Sequence, residues 1–231
     1  MLTIRPHAAR GHFDHGWLDT RHSFSFGSYR DPHWMGFATL RVINEDVIGP
    51  RKGFGEHGHA DMEIITYPVT GAVRHRDSLG HEEDITPGMI QHMTAGSGIR
   101  HAEFNPLSEP THLLQIWITP REKGLAPAHA SRSFPIHDQP GRLHLLASPD
   151  GEGDSLPIAQ DAWMLAGVFE AGALLRHELS RVRQAWVQVV RGTLRANGTA
   201  LSAGDGLGIS DEDTLELVFD DESEVLIFEL R

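Results

Sequence analysis

Apolar and polar residues alternate along this chain in short runs, separated by glycine, proline and aspartate. Successive side chains of a strand face opposite sides of a sheet, so the pattern predicts strands. Met62-Glu-Ile-Ile-Thr-Tyr67 is β-branched and apolar; Thr70-Gly71 then turns the chain into Ala72-Val73-Arg-His75, which reads as a hairpin. His112-Leu-Leu-Gln-Ile-Trp-Ile-Thr119, Trp186-Val-Gln-Val-Val190, Thr193-Leu-Arg-Ala196 and Glu224-Val-Leu-Ile-Phe-Glu-Leu230 predict further strands. Asn197-Gly198 between short runs predicts a type I′ turn. Helical periodicity is scarce, so the fold class is all-β, a barrel or sandwich.

The pattern also repeats. Glu63-Ile-Ile-Thr-Tyr-Pro-Val-Thr-Gly71, then Thr86-Pro-Gly88, then a closing strand over 113–118, is echoed by Gln184-Ala-Trp-Val-Gln-Val-Val-Arg-Gly192, Ser202-Ala-Gly204 and a closing strand over 225–230. Duplication of one β-barrel unit explains the order. The join falls around 131–142, which holds Pro135, Pro140 and Gly141, so barrels are expected over 1–134 and 142–231.

Composition narrows the chemistry. A net charge of −12 with neutral histidines argues against direct binding to nucleic acid or an anionic membrane, which needs clustered Lys and Arg. The 231 residues include no cysteine, so disulfides, thiolate metal sites and a catalytic thiol are excluded. The N-terminus lacks an apolar signal core and no apolar run is long enough for a bilayer, which leads to the expectation of a soluble cytoplasmic protein.

With 16 histidines, spacing must do the selecting. His57-Gly-His59 and His101-Ala-Glu103 each place two potential ligands two residues apart, on one face of a strand. Two such strands side by side aim three imidazoles and a carboxylate at one point, a first shell for a divalent transition metal. A His-x-His alone is as readily two polar residues on a solvated face. The second cluster changes the balance. Glu63, four residues beyond His59, falls on the same face by strict alternation, so periodicity does not choose between Glu63 and Glu103 as the carboxylate. In the echo, His57 and His59 align with Glu178 and Ser180, and His101 and Glu103 with Asp213-Thr-Leu-Glu-Leu217; only His177 lies nearby, so the second barrel is expected to lack ligands. His12 and His15 read as structural; His75, His81 and His92 could lie near the site but read as structural or exposed; Phe24, Phe26 and Trp34 could pack near the pocket mouth but read as core. No Walker, Gly-x-Gly-x-x-Gly or Gly-x-Ser-x-Gly pattern is present.

The paired clusters resemble those of the cupin superfamily. A denser set of matches resembles the pirin family of bicupins: His15-Gly-Trp-Leu-Asp, His22-Ser-Phe-Ser-Phe26, Met35-Gly-Phe-Ala-Thr-Leu-Arg-Val-Ile-Asn44, Gly53-Phe-Gly-Glu-His-Gly-His-Ala-Asp-Met-Glu-Ile65 and Met93-Thr-Ala-Gly-Ser-Gly-Ile-Arg-His-Ala-Glu-Phe-Asn105. The likeness is dense to about Pro120 and weaker beyond. It implies two tandem jelly-roll barrels and a metal held by His57, His59, His101 and Glu103, with Glu63 in a supporting role. Gly58 departs from the family, where many members carry proline.

The resemblance also implies quercetin 2,3-dioxygenase activity: opening of a flavonol's central ring by dioxygen with release of carbon monoxide. Three neutral imidazoles and one carboxylate leave a divalent ion one positive charge, which favours a bidentate anionic ligand such as a deprotonated 3-hydroxy-4-keto aromatic compound. Glu103 is the candidate to accept the hydroxyl proton. Iron(II) is the expected metal, with manganese, cobalt, nickel, copper or zinc as substitutes. The competing reading is an iron-dependent regulatory protein that binds a protein partner; a third is a cupin isomerase or hydrolase. A bicupin covers its own sheet edges, so a monomer is expected.

Overall fold

A computed structural model describes residues 1–180 and 182–231. Short strands connected by turns fill it, and the chain divides into two compact units. The predicted runs become the strands Glu63–Thr70, Val73–Asp77, Thr111–Ile118, Gln184–Arg191, Thr193–Ala196 and Ser223–Leu230. Asn197 and Gly198 have φ of 45° and 80°, as a type I′ turn requires.

In one unit the larger sheet runs Ala128–Ser133, Met89–Thr94, Glu63–Thr70, Thr111–Ile118, Leu40–Ile48, Leu18–His22, Gly11–Asp14, and a four-stranded sheet runs Gly53–His59, Ile99–Phe104, Val73–Asp77, Glu82–Ile85. Ile64, Met93, Ala95 and Ile99 form one buried cluster of this unit, and Leu18, Ile48, Val73 and Leu113 another. The other unit repeats the plan. Its larger sheet contains, in order, Leu2–Arg5, Gly206–Ile209, Gln184–Arg191, Ser223–Leu230, Trp163–Phe169 and His144–Ser148; its four-stranded sheet runs Leu174–Glu178, Thr214–Phe219, Thr193–Ala196, Thr199–Ser202. The all-β bicupin architecture is thus present, and the order of strands matches the echo.

The boundaries depart from 1–134 and 142–231. Met1–Arg10 belongs with Pro135–Ser155 and Asp161–Arg231, while Leu156–Gln160 belongs with Gly11–Phe134. The reason is hydrogen bonding. Leu2–Arg5 pairs antiparallel with Gly206–Ile209 and covers an edge that Ala128–Ser133 covers in the first unit. His7 and Arg10 reinforce it: the His7 backbone N–H donates to Asp205, and the Arg10 guanidinium to the Gly204 carbonyl. Leu156–Gln160 is tied down by the Ala159 N–H, which donates to Glu63 at 3.0 Å, and by the Gln160 side chain, which donates to the Thr119 carbonyl at 2.7 Å.

Candidate metal centre

The four-stranded sheet of the first unit carries the site. Gly53–His59 and Ile99–Phe104 pair antiparallel with His101 opposite His57 and Ile99 opposite His59. Cross-strand partners share a face, so the three imidazoles converge: ring centroids are 4.7 Å apart for His57 and His59, 4.4 Å for His57 and His101, and 4.9 Å for His59 and His101. Their ligating nitrogens lie within 4.8 Å of one another. A bulge between His101 and Glu103 brings Glu103 opposite Phe54. This close approach depends on Gly53, because a Cβ there would overlap the Glu103 carbonyl and the Phe104 Cα.

Each donor is prepared by its surroundings. His57 Nδ1 lies 2.8 Å from the Gly55 carbonyl, which only accepts, so Nδ1 carries the proton and Nε2 keeps its lone pair. His101 is buried, and neither ring nitrogen has a hydrogen-bond partner. Two orphaned nitrogens in one buried ring are costly unless a further ligand takes them. Burial, followed by the nearby His101 and His57, lowers the His59 pKa to about 4; burial also lowers that of His101, against the opposing pull of Glu103. At neutral pH both rings are uncharged, the state in which imidazole binds metal.

Glu103 is buried and accepts two hydrogen bonds, from Thr66 Oγ1 to Oε1 and Gln115 Nε2 to Oε2, both at 2.9 Å. Its carboxylate groups closely with His101 and His75 rather than with all three clustered imidazoles, but all four expected ligands line the same cavity. Three imidazoles, a carboxylate and the orphaned His101 nitrogens fit a divalent ion.

Glu63 lies elsewhere. Asp61, with φ of 51°, sits in the turn that carries the chain into the larger sheet, so the alternation of Gly53–His59 does not extend to it. Glu63 is fully buried and accepts from His92 Nε2 at 2.8 Å, Thr94 Oγ1 at 2.9 Å and the Ala159 N–H. It lines no part of the cavity and buttresses the larger sheet instead. His92 is structural accordingly. His12, exposed, pairs with Asp19.

The cavity measures about 430 Å³, within the usual range for small-molecule sites. Trp17, Phe26, Phe54, Ile64 and Trp117 supply its apolar walls. Phe26, expected as core, meets Trp117 edge-to-face at 5.3 Å and faces the cavity, whereas Phe24 is buried against Trp34. Among the polar lining atoms, Asn44 Oδ1, Gln115 Oε1 and Trp117 Nε1 are buried with no hydrogen-bond partner. Sequence reasoning passed over Thr66, Gln115 and Asn44, and it read His75, which groups with His101 and Glu103, as structural or exposed. One signal for Thr66 was present: a polar residue inside an apolar run needs a buried partner.

In the second unit, Leu174–Glu178 pairs with Thr214–Phe219 as Gly53–His59 pairs with Ile99–Phe104. Here His177 pairs with Leu215 across the strands, and its Nε2 donates to Glu229 at 2.9 Å. None of the groups of three or more close metal donors among the described residues lies in this unit.

Comparison with known proteins agrees with this geometry. Residues 3–118 match the family model described as Pirin, and residues 145–230 the one described as Quercetinase C-terminal cupin domain. Over 231 residues the chain is 45% identical to a protein of Escherichia coli named quercetin 2,3-dioxygenase, covering 100% of this chain and 99% of that one. It is 42% identical to a pirin-like protein of Caulobacter vibrioides, covering 98% of each. The crystal structure of the bacterial pirin YhhW from Escherichia coli in complex with nickel(II) superposes with a TM-score of 0.95 at 44% identity, covering 100% of this chain and 99% of that chain. On this evidence, with the strand order of a duplicated cupin and a His/Glu centre suited to a divalent metal, the chain belongs to the pirin family.

Proposed function

We propose that this protein is a metal-dependent dioxygenase that opens the central ring of a flavonol such as quercetin with release of carbon monoxide. The observation that carries the reading is the placement of three imidazoles and Glu103 on the wall of an aromatic-lined cavity that also presents unpartnered polar atoms. His57, His59, His101 and Glu103 are the proposed ligands, and iron(II) the proposed resident ion. A relative's nickel complex supports a divalent metal, and nitrogen-rich ligand sets take several such ions. When bound, a redox-capable ion supplies Lewis acidity toward the substrate's oxygens and electrons for dioxygen chemistry.

The protein's own residues do the rest. Trp17, Phe54 and Trp117 offer faces and edges for a planar aromatic molecule. Asn44 Oδ1 and Gln115 Oε1 accept, and Trp117 Nε1 donates, so the walls select a ring system bearing hydroxyl and carbonyl groups. Glu103 uses one lone pair of each oxygen on Thr66 and Gln115 and retains others to receive the substrate's hydroxyl proton. Glu103 itself is buried, which favours that transfer over exchange with bulk water.

The iron form is tested with quercetin by following loss of flavonol absorbance under air and under nitrogen. Oxygen-dependent loss with one carbon monoxide per turnover is the expected result. No loss with any redox-active metal overturns the dioxygenase and shifts weight to a regulatory protein that uses the same metal to tune a protein interface. Glu103→Gln is expected to lower turnover about 100-fold, the scale of a general base; retention of both metal and turnover removes Glu103 from the reaction.

A further inference from the structure

Behind the centre, on the far side of His101, lies a second donor cluster that the proposed reaction does not use. His75 and Asp77 sit two residues apart on Val73–Asp77 and therefore share a face. His129 comes from Ala128–Ser133 in the larger sheet of the same unit. Their ligating atoms lie within 4.8 Å of one another. The side chains are 1% exposed for His75, 0% for Asp77 and 5% for His129. The His75 and His129 rings stack at 4.8 Å between centroids.

We propose that His75, Asp77 and His129 form a second site for a divalent transition ion, distinct from the one bounded by His57, His59 and His101. The two sets share no residue, although His75 also groups with His101 and Glu103 of the first centre.

Three observations carry the assignment. First, His129 Nε2 is buried without a hydrogen-bond partner, and His75 turns its Nε2 toward Asp77 at 3.1 Å. Dry imidazole nitrogens left unpaired are what a ligand would satisfy. Second, Asp77 is held by imidazoles and backbone N–H groups. It lies 3.1 Å from His75 Nε2 and 3.1 Å from His81 Nδ1, and it accepts from the Leu79 and His81 N–H groups. Glu83 Oε1 stands 3.2 Å from His129 Nε2, outside hydrogen-bonding geometry. Among the described residues neither carboxylate pairs with an arginine or lysine. Arg74, which neighbours them in sequence, is on the other face of its strand and pairs with Asp84. Third, two imidazoles and a carboxylate are the donor set of open-sided zinc sites, and His81, with 45% of its side chain exposed and its ring 4.4 Å from that of His129, supplies a route from solvent. An ion there would bridge the two sheets of the unit, from Val73–Asp77 to Ala128–Ser133.

The test uses the full-length protein and zinc(II) alone. Equilibrium dialysis at micromolar free zinc is expected to leave two equivalents on the native chain. One equivalent remains after His57→Ala with His59→Ala, and one remains after His129→Gln, whose retained first equivalent reports that the unit is still folded. Anomalous scattering at the zinc edge from crystals of the unaltered protein is expected to show density between His75, Asp77 and His129. A single equivalent on the native chain, or no anomalous density at that position, overturns the proposal and leaves the cluster a hydrogen-bonded brace.

Discussion

Among the described residues Glu103 accepts hydrogen bonds from two neutral side chains, Thr66 and Gln115, and in the proposed centre that sets the charge. An arginine in place of Gln115 would neutralise the carboxylate before a metal arrived. Thr66 and Gln115 orient it and leave its full charge available, the arrangement by which outer-shell groups raise metal affinity. Thr66→Val and Gln115→Leu are each expected to weaken metal binding about 10- to 100-fold, measured by competition with a chromophoric chelator. Unchanged affinity in both would show that Glu103 does not serve the metal. In the proposed reaction Asn44, which lines the cavity, faces the substrate. Asn44→Leu removes one neutral acceptor, worth about 1 kcal/mol, so KM for quercetin should rise about fivefold with kcat little changed. A kcat that falls with KM unmoved would place Asn44 in the chemistry instead. His57, His59, His101 and Glu103, the proposed ligands, were legible from i, i+2 spacing and family likeness because donors on adjacent strands obey a local rule. Thr66, Gln115 and Asn44 were not, since each reaches the cavity through strand pairing at long range, and that pairing leaves little trace in local pattern.

At the scale of strands, alternation located Glu63–Thr70 and Thr111–Ile118 correctly, but it misled about Glu63, because it assumes that one strand continues. The turn at Asp61 breaks that assumption. Glu63 then becomes the anchor of Leu156–Gln160, and its pH dependence follows from its contacts. Burial raises its pKa, but hydrogen bonds and charge from His92, with help from the Ala159 N–H and Thr94, outweigh burial and lower it below the ordinary 4.5. A carboxyl with a depressed folded pKa stabilises above its unfolded value, and that stabilisation is lost as pH falls through the folded value. The urea midpoint of the metal-free protein should therefore fall steeply below about pH 4.5, and Glu63→Gln should flatten that acid limb. Glu63→Ala, which strands a buried His92, should cost about 3 kcal/mol or more at neutral pH. Gly53 and Gly58 separate by the same kind of reasoning. A Cβ at Gly53 collides with the neighbouring strand's backbone, whereas one at Gly58 would meet nothing closer than 3.7 Å. Gly53→Ala should lose metal and stability together, while Gly58→Ala should stabilise by about 0.5–1 kcal/mol through the unfolded chain, both read by thermal melts with and without nickel(II).

For the molecule as a whole, duplication was legible because the same order of strand, turn glycine and closing strand recurs at separated positions in the chain. What stayed hidden is that Leu2–Arg5 completes the later unit, not the earlier one. An edge strand is recruited through backbone N–H and C=O groups, which every sequence presents alike, so side-chain pattern carries no address for it. The later unit keeps the same fold around its own hydrophobic cluster, which includes Val187, Leu207, Leu217 and Ile227. Stability there rests on packing and on the edge that Leu2–Arg5 closes. Removing residues 1–9 deletes four register pairs and the His7 to Asp205 bond, and leaves Gly206–Ile209 as an open edge. At about 1 kcal/mol per hydrogen bond, the ladder bonds and the His7 bond together are worth about 5 kcal/mol. In calorimetry of the nickel-loaded protein the C-terminal unit should unfold at least about 10 °C earlier and aggregate more readily, while the equivalents of metal bound stay as in the intact chain. If instead metal binding is lost and the C-terminal unit melts unchanged, the N-terminal strand supports the metal-bearing barrel, and the division of the chain argued from its hydrogen bonds is wrong.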